Sequence, residues 1–304
     1  MFTEQVVKQR MSSPRIPQQG RQPPDLARVR AVRHLALDMD GTIYRGNTLF
    51  DTTLPFLDLL KRLGIGYTFL TNNPSKSLVD YTRRLADLGV PVDPGQLHTS
   101  TQATIEYIQT RWPQVRRLFV LGTESMCAEI ADAGFQLVPD DPDARVDAVL
   151  VGFDLTLTYP RLCRAAWWIA QGRPWFATNP DRVCPTGAPT VLVDCGSICA
   201  ALSTATGKSP TAVMGKPDPA MLGGILRRHR LRADQLAMVG DRLYTDVEMA
   251  RRAGAFGVLV LTGETTADQA AAAQPPPDLV VPGLTELGEF LARGHSGQNK
   301  APAP

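Results

Sequence analysis

Asp38-Met39-Asp40-Gly41-Thr42 follows the apolar run Leu35-Ala36-Leu37, and reading the two together decides the fold. The run has the length and bulk of a buried strand. Two carboxylates two residues apart at the end of a strand can share a face. Gly41 then lets the chain turn tightly. Like charges this close are unfavourable unless a cation or a proton compensates them. The stretch therefore asks for a metal ion, a shared proton or both, which is the equipment of an acid/base or phosphoryl-transfer site. The plain alternative is a strand end followed by an Asp-Gly turn.

Outward from this point, short apolar segments alternate with helical ones. Strands are expected at His34–Leu37, Gly66–Leu70, Leu118–Leu121, Ala148–Val151, Trp175–Ala177, Ala212–Met214, Leu236–Val239, Gly257–Leu261 and Asp278–Val281. Helices are expected at Leu54–Leu63, Ser77–Leu88, Thr101–Thr110, Thr123–Ala133, Tyr159–Gln171, Ser197–Thr206, Pro219–His229 and Asp246–Ala253. The alternation argues for an α/β protein with a parallel sheet of βαβ units. Residues 97–206 hold their own strand/helix alternation, enough for a second α/β domain. The first domain then spans 31–96 and 207–293, with polar tails at 1–30 and 294–304.

The composition, 43% hydrophobic and 20% charged, is that of a globular protein with a sizeable core. A net charge of +2 is too small to argue for nucleic acid or a membrane surface. No apolar run is long enough to span a bilayer, and the first thirty residues lack the apolar stretch of a signal peptide. The five cysteines form no CxxC pair and the four histidines are scattered, which speaks against a disulfide framework or a zinc site. A reducing cytoplasm fits this pattern.

Ligands of open parallel sheets bind beyond the carboxyl ends of the strands. Four strand ends carry chemistry here. Asp38 and Asp40 are at the first. Thr71-Asn72-Asn73 follows Leu70 and offers a hydroxyl and backbone amides to an anionic oxygen, although Thr-Asn-Asn-Pro is also ordinary turn chemistry. Gly215-Lys216-Pro217 places a compact cation where it can balance phosphate and carboxylate. Gly240-Asp241-Arg242-Leu243-Tyr244-Thr245-Asp246 adds two more acids, of which Asp246 also suits a helix N-cap. Asp38, Asp40 and Asp241 can gather oxygen ligands for Mg²⁺, a cation that takes few carboxylates plus water and substrate oxygens.

In this order the set resembles the haloacid dehalogenase-like phosphatase superfamily, whose motifs are DxDGT, a Thr or Ser after the second strand, a Lys, and GDxxxxD. The resemblance covers residues 33 to 290. Within the superfamily the chain is similar to the NagD-like group with a type IIA cap, on the strength of Thr71-Asn72-Asn73-Pro74, Gly152-Phe153-Asp154 with Thr158-Tyr159, Ala177-Thr178-Asn179-Pro180-Asp181, Ala205-Thr206-Gly207-Lys208 and Gly215-Lys216-Pro217. One departure is Asp194-Cys195-Gly196-Ser197, where the group often carries a Pro-Gly-rich turn.

The resemblance implies a doubly wound core with 97–206 as an inserted cap. It makes Asp38 the nucleophile, Asp40 the proton carrier and Lys216 the balancing cation. It puts Mg²⁺ on Asp38, the backbone carbonyl of Asp40 and Asp241, with Asp246 orienting a metal-bound water. Thr71, Asn72 and Asn73 would hold phosphoryl oxygens, and Asn179 would supply a cap contact to the substrate. The implied activity is phosphatase action on a small phosphate monoester, with homodimerisation through the cap as a family habit. A phosphomutase using the same aspartyl-phosphate and a phosphorylatable switch are the competing readings. Asp40 and the large insertion argue against the switch.

Overall fold

The computed structural model describes residues 25–72, 77–185 and 189–295. The strand His34–Asp38 lies at the middle of a six-stranded parallel sheet. The order across that sheet is Leu279–Val281, Phe256–Val260, Leu236–Gly240, His34–Asp38, Gly66–Thr71, Leu97–Thr99. Chain order reverses at His34–Asp38, so a crevice opens between its end and that of Leu236–Gly240. Leu35 and Leu37 enter one apolar core with Phe69 and Val239, while Ala36 enters another with Leu70 and Met238. Period-two alternation buries both faces because helices cover both, which is why the strand reads as an unbroken apolar run.

A second parallel sheet runs Ala212–Val213, Trp175–Ala177, Ala148–Val151, Arg117–Leu121, Gln136–Leu137. It too is buried on both sides. Phe119, Val149 and Trp175 pack under the helices Tyr159–Ala170 and Cys195–Thr206, and Leu118, Leu150 and Phe176 pack on the other face with Met126 and Ile130. Short antiparallel hairpins at Tyr44–Leu49 and Val183–Val193 complete the strands.

The structure departs from the expected boundaries in five places. Leu97–Thr99 pairs with Gly66–Thr71 and belongs to the first sheet. Ala212–Val213 pairs with Trp175–Ala177 and belongs to the second. Between the sheets, the helix Ser100–Arg111 serves both cores: Ala103 packs into the first, Ile105 and Ile108 into the second. Residues two or five apart on a helix point to different sides, so one helix can bridge two cores with no linker between them. At the N-terminus, residues 25–30 are not a tail. Asp25 caps the helix Leu26–Ala31, accepting from the Ala27 N–H at 2.9 Å, and Val29 is fully buried in the first core. The helix Leu284–His295 likewise carries Gly294 into ordered structure, where it packs against Val29.

Thr123 accepts from the Met126 N–H at 3.2 Å and Asp218 from the Ala220 N–H at 2.8 Å. Asp246 does not start a helix. It lies in a π-helical turn, Leu243–Val247, ahead of the helix Glu248–Ala253.

Candidate active site

Asp38 stands at the carboxyl end of the central strand. Its Oδ1 takes a short contact from the Lys216 ammonium, and its Oδ2 accepts from the Thr42 hydroxyl at 3.3 Å. Gly41 makes the turn after it with φ +85°, and a Cβ there would lie 2.5 Å from Asp241 Oδ2. The glycine is therefore needed twice, for its backbone angle and for the approach of Asp241. Asp40 is exposed beyond the turn.

Asp241 follows the adjacent strand Leu236–Gly240 and is buried. Its Oδ2 accepts from the Glu264 N–H at 2.6 Å, whereas its Oδ1 is buried with no hydrogen-bond partner among the described residues. Burial, then the nearby Asp38 charge, pushes its carboxyl up to about 6. Asp246 is almost fully buried, with Oδ1 2.8 Å from the Lys216 ammonium and Oδ2 accepting from the Arg242 N–H at 3.2 Å. Its carboxyl is raised by burial, against the pull of Lys216. Lys216 itself is 3% exposed. Burial alone would lower its ammonium, but Asp246 and Asp38 outweigh burial and hold it above the usual lysine range.

Oxygens of Asp38, Asp241 and Asp246 all lie within 4.8 Å of one another. Three buried or half-buried carboxylates against one ammonium leave negative charge uncompensated, and the unpartnered Asp241 Oδ1 is a polar atom that buried structure rarely tolerates. A hard divalent cation with oxygen ligands fits both facts. Asp246 Oδ1 is already paired with Lys216 and its Oδ2 with the Arg242 N–H.

Thr71 ends the strand beside Asp38: Leu70 is level with Asp38 in register, and Thr71 is the next residue. Asn72 follows at the same mouth, and Asn73 and Pro74 lie outside the described residues. Asn179, expected to touch substrate, is instead fully buried. Its Nδ2 donates to the Asn72 carbonyl at 3.2 Å and its Oδ1 accepts from the Asp181 N–H at 2.9 Å. Both ends of its amide are spent within the chain, so it supports the site from behind.

Other singled-out residues have structural roles. Lys208 donates to the Ile169 and Ala170 carbonyls, each at 3.0 Å, closing the end of the helix Tyr159–Ala170. Asp154 accepts from the Thr156 N–H at 2.8 Å and pairs with Arg161 at 2.8 Å, a self-contained turn. Asp194, standing where the Pro-Gly turn was expected, caps the helix Cys195–Thr206 by accepting from the Cys195 N–H at 2.6 Å. Burial pushes its carboxyl up to about 6. Two neighbours were not anticipated. Arg242 pairs with Glu264 at 2.8 Å beside Asp241, and the Tyr244 hydroxyl donates to the other Glu264 oxygen at 2.9 Å. Their place inside the GDxxxxD stretch was the available signal.

Comparison with known proteins agrees with this geometry. A family model described as haloacid dehalogenase-like hydrolase matches residues 35–136, and one described as HAD-hydrolase-like matches residues 213–287. Ribonucleotide monophosphatase NagD of Escherichia coli K12 is 28% identical over 256 residues, 84% of this chain and 98% of that protein. The 4-nitrophenylphosphatase of Thermotoga maritima is 37% identical with a TM-score of 0.81, over 86% of this chain and 98% of that one. A glycerol phosphate phosphatase of Mycobacterium tuberculosis, solved in complex with magnesium, is 32% identical with a TM-score of 0.78, over 91% of this chain and 82% of that one. On these matches the chain belongs to the haloacid dehalogenase-like hydrolase family, within its NagD-like group.

Proposed function

We propose that this chain is a Mg²⁺-dependent phosphatase that hydrolyses a small phosphate monoester through an aspartyl-phosphate. The observation that carries the reading is Asp38, aimed from the central strand between Lys216 and Thr42 and beside the unpartnered Asp241 Oδ1. The phosphatase names of the relatives and the magnesium bound to one of them support it.

In this reading Asp38, the Asp40 carbonyl and Asp241 hold Mg²⁺, which supplies positive charge against the phosphoryl oxygens and the clustered carboxylates. The Asp38 carboxylate attacks phosphorus, forming an acyl-phosphate O–P bond as the bond to the leaving oxygen breaks. Asp40, exposed above the turn, gives its proton to that oxygen. It then takes a proton from the water that attacks phosphorus, and inorganic phosphate leaves with Asp38 restored. The Thr71 hydroxyl and the Asn72 backbone amide hold phosphoryl oxygens, and Lys216 offsets their charge. Asp246 keeps Lys216 and the Arg242 backbone in place. The second sheet and its helices act as a cap over the mouth, excluding water and selecting the leaving group.

Phosphate release from a panel of sugar phosphates, nucleoside monophosphates, glycerol phosphate and phosphoglycolate tests the reading, compared by kcat/KM. Asp38→Asn should abolish release with every substrate. Isomerised product without free phosphate would show a mutase and overturn it.

A further inference from the structure

The catalytic lysine of the proposed site does not sit on a strand or a helix. Lys216 lies on the segment that leaves the second sheet at Ala212–Val213 and enters the helix Ala220–His229, which packs on the first sheet. Any movement of one sheet against the other would carry Lys216 with it. Something must therefore fix its peptide to the first sheet, where Asp38 and Asp246 are.

Asn72 makes that connection. Its Oδ1 accepts from the Lys216 backbone N–H at 2.6 Å, and its Nδ2 donates back to the Lys216 carbonyl at 3.1 Å. One amide thus grips both ends of the same residue. The Nδ2 also donates to Asp181 Oδ2 at 3.1 Å, which ties the grip to the second sheet's loop. Both donors of the side chain are then used. The Asn72 carbonyl is held in turn, accepting from the Ser100 hydroxyl at 2.8 Å and from Asn179 Nδ2. Gly215 is the independent sign that this approach is built in. It has φ +81°, and a Cβ there would stand 2.7 Å from Asn72 Oδ1 and 2.8 Å from the Thr178 carbonyl. A side chain would push the lysine segment off the asparagine.

We infer that Asn72 is a positioning residue, whose side-chain amide clamps the Lys216 peptide to the end of the strand Gly66–Thr71 and couples that peptide to Asp181, so that the ammonium meets Asp38 while the two sheets are docked. The inference rests on the phosphatase reading. It is separate from phosphate binding by residue 72, which uses the backbone amide and survives side-chain substitution.

The test is a reciprocal exchange. Asn72→Asp keeps an acceptor for the Lys216 N–H but loses the donor to its carbonyl and sets a carboxylate against Asp181. Its kcat should fall about 10- to 100-fold with KM changing far less, since small misplacements of a catalytic group cost that much. Asp181→Asn alone leaves an acceptor for Asn72 and sets the baseline against which the double variant is read. In the Asn72→Asp background Asp181→Asn supplies a donor to the new carboxylate, and kcat should recover by about tenfold, a coupling that loss of fold cannot imitate. Asn72→Ala, checked for an unchanged melting temperature, stands in if Asn72→Asp does not fold. Amide hydrogen exchange at Lys216 should be protected in the parent and faster in Asn72→Ala. Asn72 variants within about twofold of an active parent, or a double variant with no recovery, would overturn the clamp. A parent that releases no phosphate would overturn the phosphatase reading instead, and unchanged exchange at Lys216 would then dispose of the clamp on its own.

Discussion

Replacing Lys216 by Met removes the cation held between two buried acids, with little change in side-chain volume. Its ammonium lies 2.8 Å from Asp246 Oδ1 and also contacts Asp38. At an effective dielectric of about 20, a unit pair at this range is worth about 6 kcal/mol before desolvation. Breaking a buried pair from one side costs about 3–5 kcal/mol, because the partner is left charged and unpaired. Three carboxylates within 4.8 Å then face each other with no compensating ammonium. They can escape only by binding protons, so the folded values of Asp241 and Asp246 move further above the unfolded carboxylate range. A group raised in the folded state contributes stability below its unfolded value and loses it as pH rises through the folded one. In metal-free buffer, the stability gap between the parent and Lys216→Met should therefore be small near pH 5 and reach about 3–5 kcal/mol near pH 8. Urea denaturation with EDTA at both pH values measures it. Restoring Mg²⁺ should narrow the gap at pH 8 without restoring turnover, which should stay at least about a hundredfold down for want of the phosphoryl-oxygen partner. A gap under about 1 kcal/mol at both pH values would refute the claim that Lys216 is the charge holding this cluster together.

Treatment with EDTA should stop phosphate release and excess Mg²⁺ should restore it; full activity in EDTA would remove the metal from the mechanism. Gly41→Ala should weaken Mg²⁺ binding at least about tenfold and destabilise by about 1–2 kcal/mol, since φ +85° suits glycine and the new Cβ would stand 2.5 Å from Asp241 Oδ2. Calorimetric titration with Mg²⁺ checks the first and thermal unfolding the second. Burial pushes Glu129 up to about 7. The contribution of this carboxyl is present below about 4.5 and lost as pH rises through 7, so Glu129→Gln should stabilise by about 1–3 kcal/mol at pH 8 and little at pH 5. Equal effects at both pH values would contradict the burial argument.

In the proposed cap arrangement the loop through Asp181 meets the site, where Asp181 Oδ2 accepts from Asn72 Nδ2 at 3.1 Å. Variation in the preferred monoester among relatives is expected to map to these residues, because the groups that meet phosphorus come from the first sheet.

The sequence by itself determined the α/β class, five of the six strands of the central sheet and the positions of Asp38, Thr71, Lys216 and Asp241, because buried parallel strands are continuous apolar runs and catalytic groups follow their ends. What it did not carry were relations between distant segments. Leu97–Thr99 and Ala212–Val213 are too short to declare their sheet, and only pairing assigned them. Asn179 looked like a substrate contact until packing consumed both ends of its amide. The grip of Asn72 on Lys216 joins residues 144 apart. Local chemistry is written in neighbouring residues, whereas the direction a buried amide turns is decided by whichever partners the tertiary fold brings within 3 Å of it.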